Sequence, residues 1–215
     1  MRIAIDGPAG AGKSTVAKKI ASELGFVYID TGAMYRALTW EALNRGINID
    51  DPDALQKLAI SSDIHFGEYQ QIFCNNINIT TDIRLPQVTA AVSRVASHPA
   101  VRKIMVKKQQ DMAQTTDIVM DGRDIGECVL PNAEYKFFLT AGIDERARRR
   151  VKDLEDRGIA CNIDTVKKDI AERDRSDAQR ETGALKVLTD SIVIDTSSMT
   201  IDEVTAKLCA IIKEG

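Results

Sequence analysis

Histidine is almost absent from this sequence: His65 and His98 are the only two. A reaction that relies on an imidazole base therefore has little to draw on. Cysteine is sparse and scattered, at Cys74, Cys128, Cys161 and Cys209. No C-x-x-C pair occurs, which excludes a cysteine zinc site and a dithiol redox motif and leaves reduced thiols as the expectation. Positive charge is not in excess either. The 29 Lys and Arg against 32 Asp and Glu give a net charge of −3, so no global field draws the chain to nucleic acid or to an anionic membrane. No apolar run is long enough to cross a bilayer, and the first residues read as a strand and a glycine loop, unlike a signal peptide. A soluble cytoplasmic protein without nucleic-acid or membrane partners is expected. With 215 residues, 44% of them hydrophobic and only five prolines, the chain suits one substantial α/β domain with insertions.

What the sequence does have begins at residue 7. Gly7-Pro8-Ala9-Gly10-Ala11-Gly12-Lys13-Ser14 matches the phosphate-binding pattern G-x-x-x-x-G-K-[ST] at every fixed position. A di- or triphosphate can be wrapped by successive backbone N–H groups only where side chains stay out of the way, which the three glycines provide. Lys13 then offers a point charge to the outer phosphates, Ser14 a hydroxyl to Mg²⁺, and the following helix its N-terminal dipole. Thr15 extends the loop into that helix. The flanks agree: Arg2-Ile3-Ala4-Ile5 reads as a buried strand, and Val16, Ala17, Ile20, Ala21 and Leu24 recur at helical spacing.

Further strand-like runs fall at 26–30, 117–121, 135–139 and 192–195. Helical patterns fill 14–24, 33–45, 53–61, 85–96, 100–113, 144–157, 163–180 and 201–213. Alternating β and α after a glycine loop predicts a three-layer α/β fold with a five-stranded parallel sheet. Thr200 and Glu203 carry a capping box for the last helix. Residues 63–83 break the rhythm: short alternating runs around Ile64, Ile72 and Ile77, separated by Gly67 and Asn75-Asn76, predict a small antiparallel meander inserted in the core.

A phosphate loop alone leaves a GTPase, a motor ATPase and a kinase open. Arginines weigh toward a kinase for an anionic acceptor, which must hold two anions against each other. Arg36 follows the second strand in Asp30-Thr31-Gly32-Ala33-Met34-Tyr35-Arg36, and Arg123 follows the third in Asp121-Gly122-Arg123-Asp124. Both loops belong to the ligand edge of an open parallel sheet. Arg173, Asp177 and Arg180 are spaced to share one helix face. The run of Arg146, Arg148, Arg149 and Arg150 lacks the interleaved aromatics of a nucleic-acid patch and reads better as a lid.

Taken in order, G-P-A-G-A-G-K-S, D-T-G-A-M-Y-R, D-I-R, V-A-S-H-P-A-V-R, D-G-R-D-I-G and E-R-D-R-S-D-A-Q-R resemble the bacterial cytidylate kinases over essentially the whole chain. The meander resembles that family's insertion in the monophosphate-binding region. The resemblance implies a single domain: core 1–32, 84–144 and 181–215, monophosphate-binding region about 33–83, lid about 145–180. It implies that Ser93, Arg102 and Asp124 read cytosine and that Arg36, Arg123 and Arg180 hold the acceptor phosphate. It further implies that Arg173 and Asp177 meet the sugar, and that Thr31 and Tyr35 line the monophosphate pocket. Lys13, Arg123 and Arg180 would be the catalytic cations. Ser176 stands where some relatives carry arginine, and Thr31 where some carry serine.

The activity so implied is transfer of the γ-phosphoryl group of ATP to CMP or dCMP, with Mg²⁺, by a monomer. The alternative is a related kinase for UMP or for a small metabolite such as shikimate. A GTPase is disfavoured because no N-K-x-D element is present.

Overall fold

The computed structural model describes residues 1–156 and 158–214, and for Tyr69 the backbone alone. The chain forms two compact units, Met1–Tyr28 with Thr116–Gly215, and Ile29–Thr115. The second is wider than the region 33–83 expected from the sequence. The reason is packing within it: two helices that the sequence reading had placed with the core lie against the helices that follow residue 30.

In the first unit, β1 (Arg2–Asp6) runs into the glycine loop and then α1 (Lys13–Leu24). Every residue of β1 after Arg2 is buried, as a strand covered on both faces must be. Gly12 enters α1 with φ 86° and Gly25 leaves it with φ 70°, both left-handed and inexpensive only for glycine. The chain continues through β2 (Val27–Asp30) and, after the second unit, returns as β6 (Ile118–Gly122). A single π-helical turn, Ile125–Val129, follows, then β7 (Tyr135–Thr140), α6 (Ile143–Glu155), α7 (Ile163–Ala178), β8 (Ile192–Asp195) and α8 (Ile201–Glu214).

The five strands form one sheet in the order β2-β6-β1-β7-β8. β1 pairs in parallel with β6 (Asp6 opposite Gly122) and with β7 (Asp6 opposite Phe138). The strand that ends in the glycine loop is thus the central one, and the loop emerges at the carboxyl edge where such sheets bind ligands. Val16, Ala17 and Ile20 of α1 share a core cluster with Ile3, Ile5 and Phe137 of the sheet and with Val204, Leu208 and Ile212 of α8. The expected capping box is present: Glu203 N donates to Thr200 Oγ1 at 3.2 Å and Thr200 N to Glu203 Oε2 at 2.8 Å. α6 and α7 form a hairpin with its own small core of Ala147, Val166 and Ile170.

The second unit holds α2 (Thr31–Asn44), α3 (Pro52–Ser61), α4 (Pro86–Ser97) and α5 (Pro99–Met112). Three of these begin on proline, whose missing N–H costs nothing there. The expected meander is β3 (Ile64–Phe66), β4 (Ile72–Cys74) and β5 (Ile77–Asn78), antiparallel in sequence order. It turns through Asn75 and Asn76 at φ 49° and 65°. Buried Glu41 of α2 accepts from Asn75 Nδ2 at 2.8 Å, fastening the meander to that helix.

Candidate active site

The loop from Gly7 to Ser14 has the backbone its composition implied. Gly7, Gly10 and Gly12 sit at φ 148°, 78° and 86°. A Cβ at Gly7 would lie 2.0 Å from the carbonyl oxygen of Leu139, and one at Gly10 3.1 Å from the Cβ and the carbonyl oxygen of Arg146. Glycine at these two positions is therefore required by close packing as well as by conformation.

Lys13 is 5% exposed, and its Nζ donates to the Pro8 carbonyl at 2.7 Å. Burial, and next the nearby Arg123, push its pKa down to about 7; Arg173 acts the same way, while Asp121 and Asp6 oppose. Ser14 Oγ donates to Asp121 Oδ2 at 2.8 Å, and Tyr28 Oη donates to Asp121 Oδ1 at 2.6 Å. A hydroxyl and a carboxylate so placed are hard oxygen donors of the kind Mg²⁺ takes. Among the described residues no group of three or more His, Cys, Asp or Glu could hold a metal ion.

Asp177 gathers the arginines. It is 1% exposed; its Oδ2 accepts from Arg123 Nε at 2.7 Å, and its Oδ1 accepts from Arg180 Nη2. Burial alone would raise its pKa, but Arg123, then Arg180 and Arg173, hold it below the usual carboxylate value. α7 ends at Ala178, so Arg180 lies beyond the helix on which the sequence pattern had placed it, and its pairing with Asp177 keeps it beside Arg123. The arginine run 146–150 divides its work. Arg146 Nη1 donates to the Ala9 carbonyl at 2.9 Å and to Asp174 Oδ2 at 2.5 Å, and Asp174 Oδ1 accepts from Ala9 N at 3.0 Å. Arg149 donates to Glu145 and to Thr196, whose own hydroxyl reaches Thr140 O at 3.1 Å and Ala11 O at 3.3 Å. Arg148 is exposed on Glu145.

Asp124 is buried in the first unit, in the turn after β6. In the second unit, Asp30 caps α2 by accepting from Ala33 N at 2.9 Å, which orients the first turn bearing Thr31, Tyr35 and Arg36. Arg36 Nη1 donates to Thr89 Oγ1 at 3.0 Å. Arg102, 2% exposed, donates through Nη1 to Ala96 O at 3.1 Å and lies 5.4 Å over the Tyr35 ring. Ser93 is on α4, half-buried. Thus Lys13, Ser14, Arg123, Asp124, Arg173, Asp177 and Arg180 belong to the first unit, and Thr31, Tyr35, Arg36, Ser93 and Arg102 to the second.

Neither histidine enters these groups. His98 Nε2 is 2.9 Å from Ile49 O, and His65 stacks on Phe73. The sequence reading missed Asp121, Tyr28, Asp174 and Thr196. Asp121 had a signal, because it closes the apolar run Ile118-Val119-Met120 at the edge that carries the glycine loop.

A family model described as cytidylate kinase matches residues 3–214. The chain belongs to that family. It is 49% identical to a cytidylate kinase of Halalkalibacterium halodurans, covering 100% of this chain and 98% of that protein. It is 51% identical to one of Geobacillus thermodenitrificans (99% and 96%) and 51% identical to one of Listeria innocua (99% and 96%). Among solved structures, a shikimate kinase of Bacteroides thetaiotaomicron superposes with TM-score 0.50 at 15% identity, covering 99% of this chain and 98% of that one. An uncharacterized protein of Eubacterium ventriosum superposes with TM-score 0.56 at 13% identity, covering 100% and 99%. At such identities the structural likeness speaks for the fold alone, a parallel sheet layered with helices. No helix among the described residues is long and apolar enough to cross a membrane.

Proposed function

We propose that this cytidylate kinase family member transfers the γ-phosphoryl group of ATP to CMP or dCMP, giving ADP and CDP or dCDP. The observation that carries the reading is the convergence of cations on the glycine loop. Burial first, then Arg123 and Arg173, push the Lys13 pKa down to about 7, and Arg146 Nη1 donates to the Ala9 carbonyl of the loop at 2.9 Å. Such a like-charge cluster costs stability unless anions fill it, and a phosphoryl-transfer transition state is a dense anion of that kind.

The donor phosphates would lie on the backbone of Gly7–Ser14 with Thr15 at the helix start, and Lys13 on their outer oxygens. Mg²⁺ would be held by Ser14 and Asp121 and would neutralise charge on the donor phosphates. Arg36, Arg123 and Arg180 would hold the acceptor phosphate. Asp177, with both oxygens engaged by Arg123 and Arg180, fixes those two guanidiniums and would meet a sugar hydroxyl. Arg173 would join it there. Thr31 and Tyr35 would line the monophosphate pocket, and Ser93, Arg102 and Asp124 would read the base.

Asp124 suits cytosine, whose exocyclic amine donates where uracil presents a carbonyl; with uracil, acceptor would face acceptor. The acceptor phosphate is already ionised at neutral pH, so no general base is required, and neither His65 nor His98 is needed for the transfer. The α6–α7 hairpin is the proposed lid, excluding water that would otherwise turn the enzyme into an ATPase. The reading places the protein in the cytoplasm as a monomer.

The test is an assay of ADP release with CMP, dCMP, UMP, AMP and shikimate in turn. CMP or dCMP should give the highest kcat/KM. CMP no better than AMP would sink the reading, and turnover of shikimate alone would favour the alternative kinase.

A further inference from the structure

Asp6 ends β1 one residue before the glycine loop and is 6% exposed. Both of its oxygens accept from backbone amides that follow β6. Oδ1 accepts from Ile125 N and Oδ2 from Gly126 N, each at 2.8 Å. Two successive amides on one carboxylate make a two-point fix that sets both the position and the tilt of the peptide between them. Those amides open the π-helical turn Ile125–Val129, and the residues just before them are Arg123 and Asp124.

The surroundings leave no slack. A Cβ at Gly126 would lie 3.2 Å from Lys136 Cδ, 3.3 Å from Leu188 Cδ1 and 3.4 Å from Asp6 Oδ2. The turn closes on itself through Cys128 N to Asp124 O at 2.8 Å and Leu130 N to Ile125 O at 2.7 Å. A buried carboxylate at this strand end carries a desolvation cost: burial raises the Asp6 pKa to about 6, with Asp124 adding to the rise against the pull of the two amides and of Lys13. An apolar side chain would fill the same space without that cost, so the carboxylate is kept for what it holds.

We propose that Asp6 is a positioning residue for the acceptor nucleotide: it fixes the turn that aims Arg123 and Asp124, so that the strand ending in the glycine loop also sets the reading of the base. The inference rests on the assignment of Asp124 to the base made above. Asp6→Asn is the variant of choice, because it keeps the shape and replaces one acceptor by an N–H₂ facing an amide N–H.

Asp6→Asn should raise the KM for CMP at least tenfold and shrink the CMP-over-UMP preference at least fivefold, with ADP affinity by calorimetry at pH 6.5, below the Lys13 pKa, changed less than twofold. Asp124→Ala, measured alongside, should also shrink the preference. A lower melting temperature with CMP KM and base preference unchanged would overturn the proposal, leaving Asp6 a stability residue. Equal loss of ADP affinity would overturn it too, since the damage would then lie in the glycine loop. Should Asp6→Asn fail to fold, Gly126→Ala leaves the carboxylate in place, crowds it, and must move the same two parameters. A preference lost in Asp124→Ala but kept in Asp6→Asn defeats the positioning role alone. A preference kept in both defeats the role of Asp6 and the base assignment together.

Discussion

Ser14 Oγ donates to Asp121 Oδ2 at 2.8 Å across 107 residues of sequence, which joins the end of the glycine loop to the end of β6. Tyr28 Oη occupies the other oxygen of Asp121 at 2.6 Å, so the carboxylate is held in one orientation from two sides. Metal sites depend on such outer partners, whose loss typically weakens binding about 10- to 100-fold.

Tyr28→Phe is accordingly expected to raise the Mg²⁺ concentration that half-saturates nucleotide binding by about tenfold, and Asp121→Asn by more. Calorimetric titration of ADP with and without Mg²⁺ checks this apart from turnover. Metal-free ADP affinity should change little in Tyr28→Phe. An unchanged Mg²⁺ requirement in both variants would remove Asp121 from the metal site.

The fastening of α7 to the glycine loop is a second point of attack. Asp174 accepts from Ala9 N, while Arg146 donates to both Ala9 O and Asp174, so both polar groups of residue 9 are used. Asp174→Ala leaves a guanidinium that is 9% exposed without this carboxylate. Removing one partner of a largely buried pair leaves the other charge uncompensated. The expected result is a loss of roughly 2 kcal/mol in stability, faster proteolysis of the α6–α7 hairpin, and a raised KM for ATP with KM for CMP little changed. Asp174→Asn keeps an acceptor for the amide and should fall between. Identical proteolysis rates in wild type and Asp174→Ala would show that this contact does not fasten the hairpin.

The elements were legible because their signals are local. Periodicity and the glycine loop placed the strands and helices within about two residues, and Asn75-Asn76 marked the meander turn. The π-helical turn at Ile125–Val129 was not legible, since a single turn has no repeat to detect. Nor was the end of α7 before Arg180, because the charged pattern runs on past the last helical residue. The carboxylates were the largest omission. Asp6 binds amides 119 and 120 residues away and Asp174 one 165 residues away, and no spacing in a sequence encodes pairings of that range. Asp177 was found for its helical spacing to Arg173, yet its visible work is on Arg123, 54 residues distant.

Lys13 makes the site sensitive to pH. Burial, and after it Arg123, bring its pKa down from 10.5 to about 7 in the nucleotide-free protein. At pH 8 the amine is then mostly neutral in the folded state and charged in the unfolded one. Between about pH 7 and 10.5 the unfolded chain therefore binds more protons, and Lys13's contribution makes the free protein more stable as pH rises. Nucleotide phosphates reverse the local field and favour the ammonium form, so binding in this window must take up a proton. The expected outcome is an ADP dissociation constant that rises with pH above about 7, approaching tenfold per unit. Calorimetry at pH 8 in buffers of different ionisation enthalpy should show uptake of up to one proton. Lys13→Met should abolish both the uptake and the slope. A dissociation constant flat from pH 7 to 9 in the wild type would mean that Lys13 stays charged in the free loop, and that Asp121 and Asp6 outweigh its burial and the two arginines.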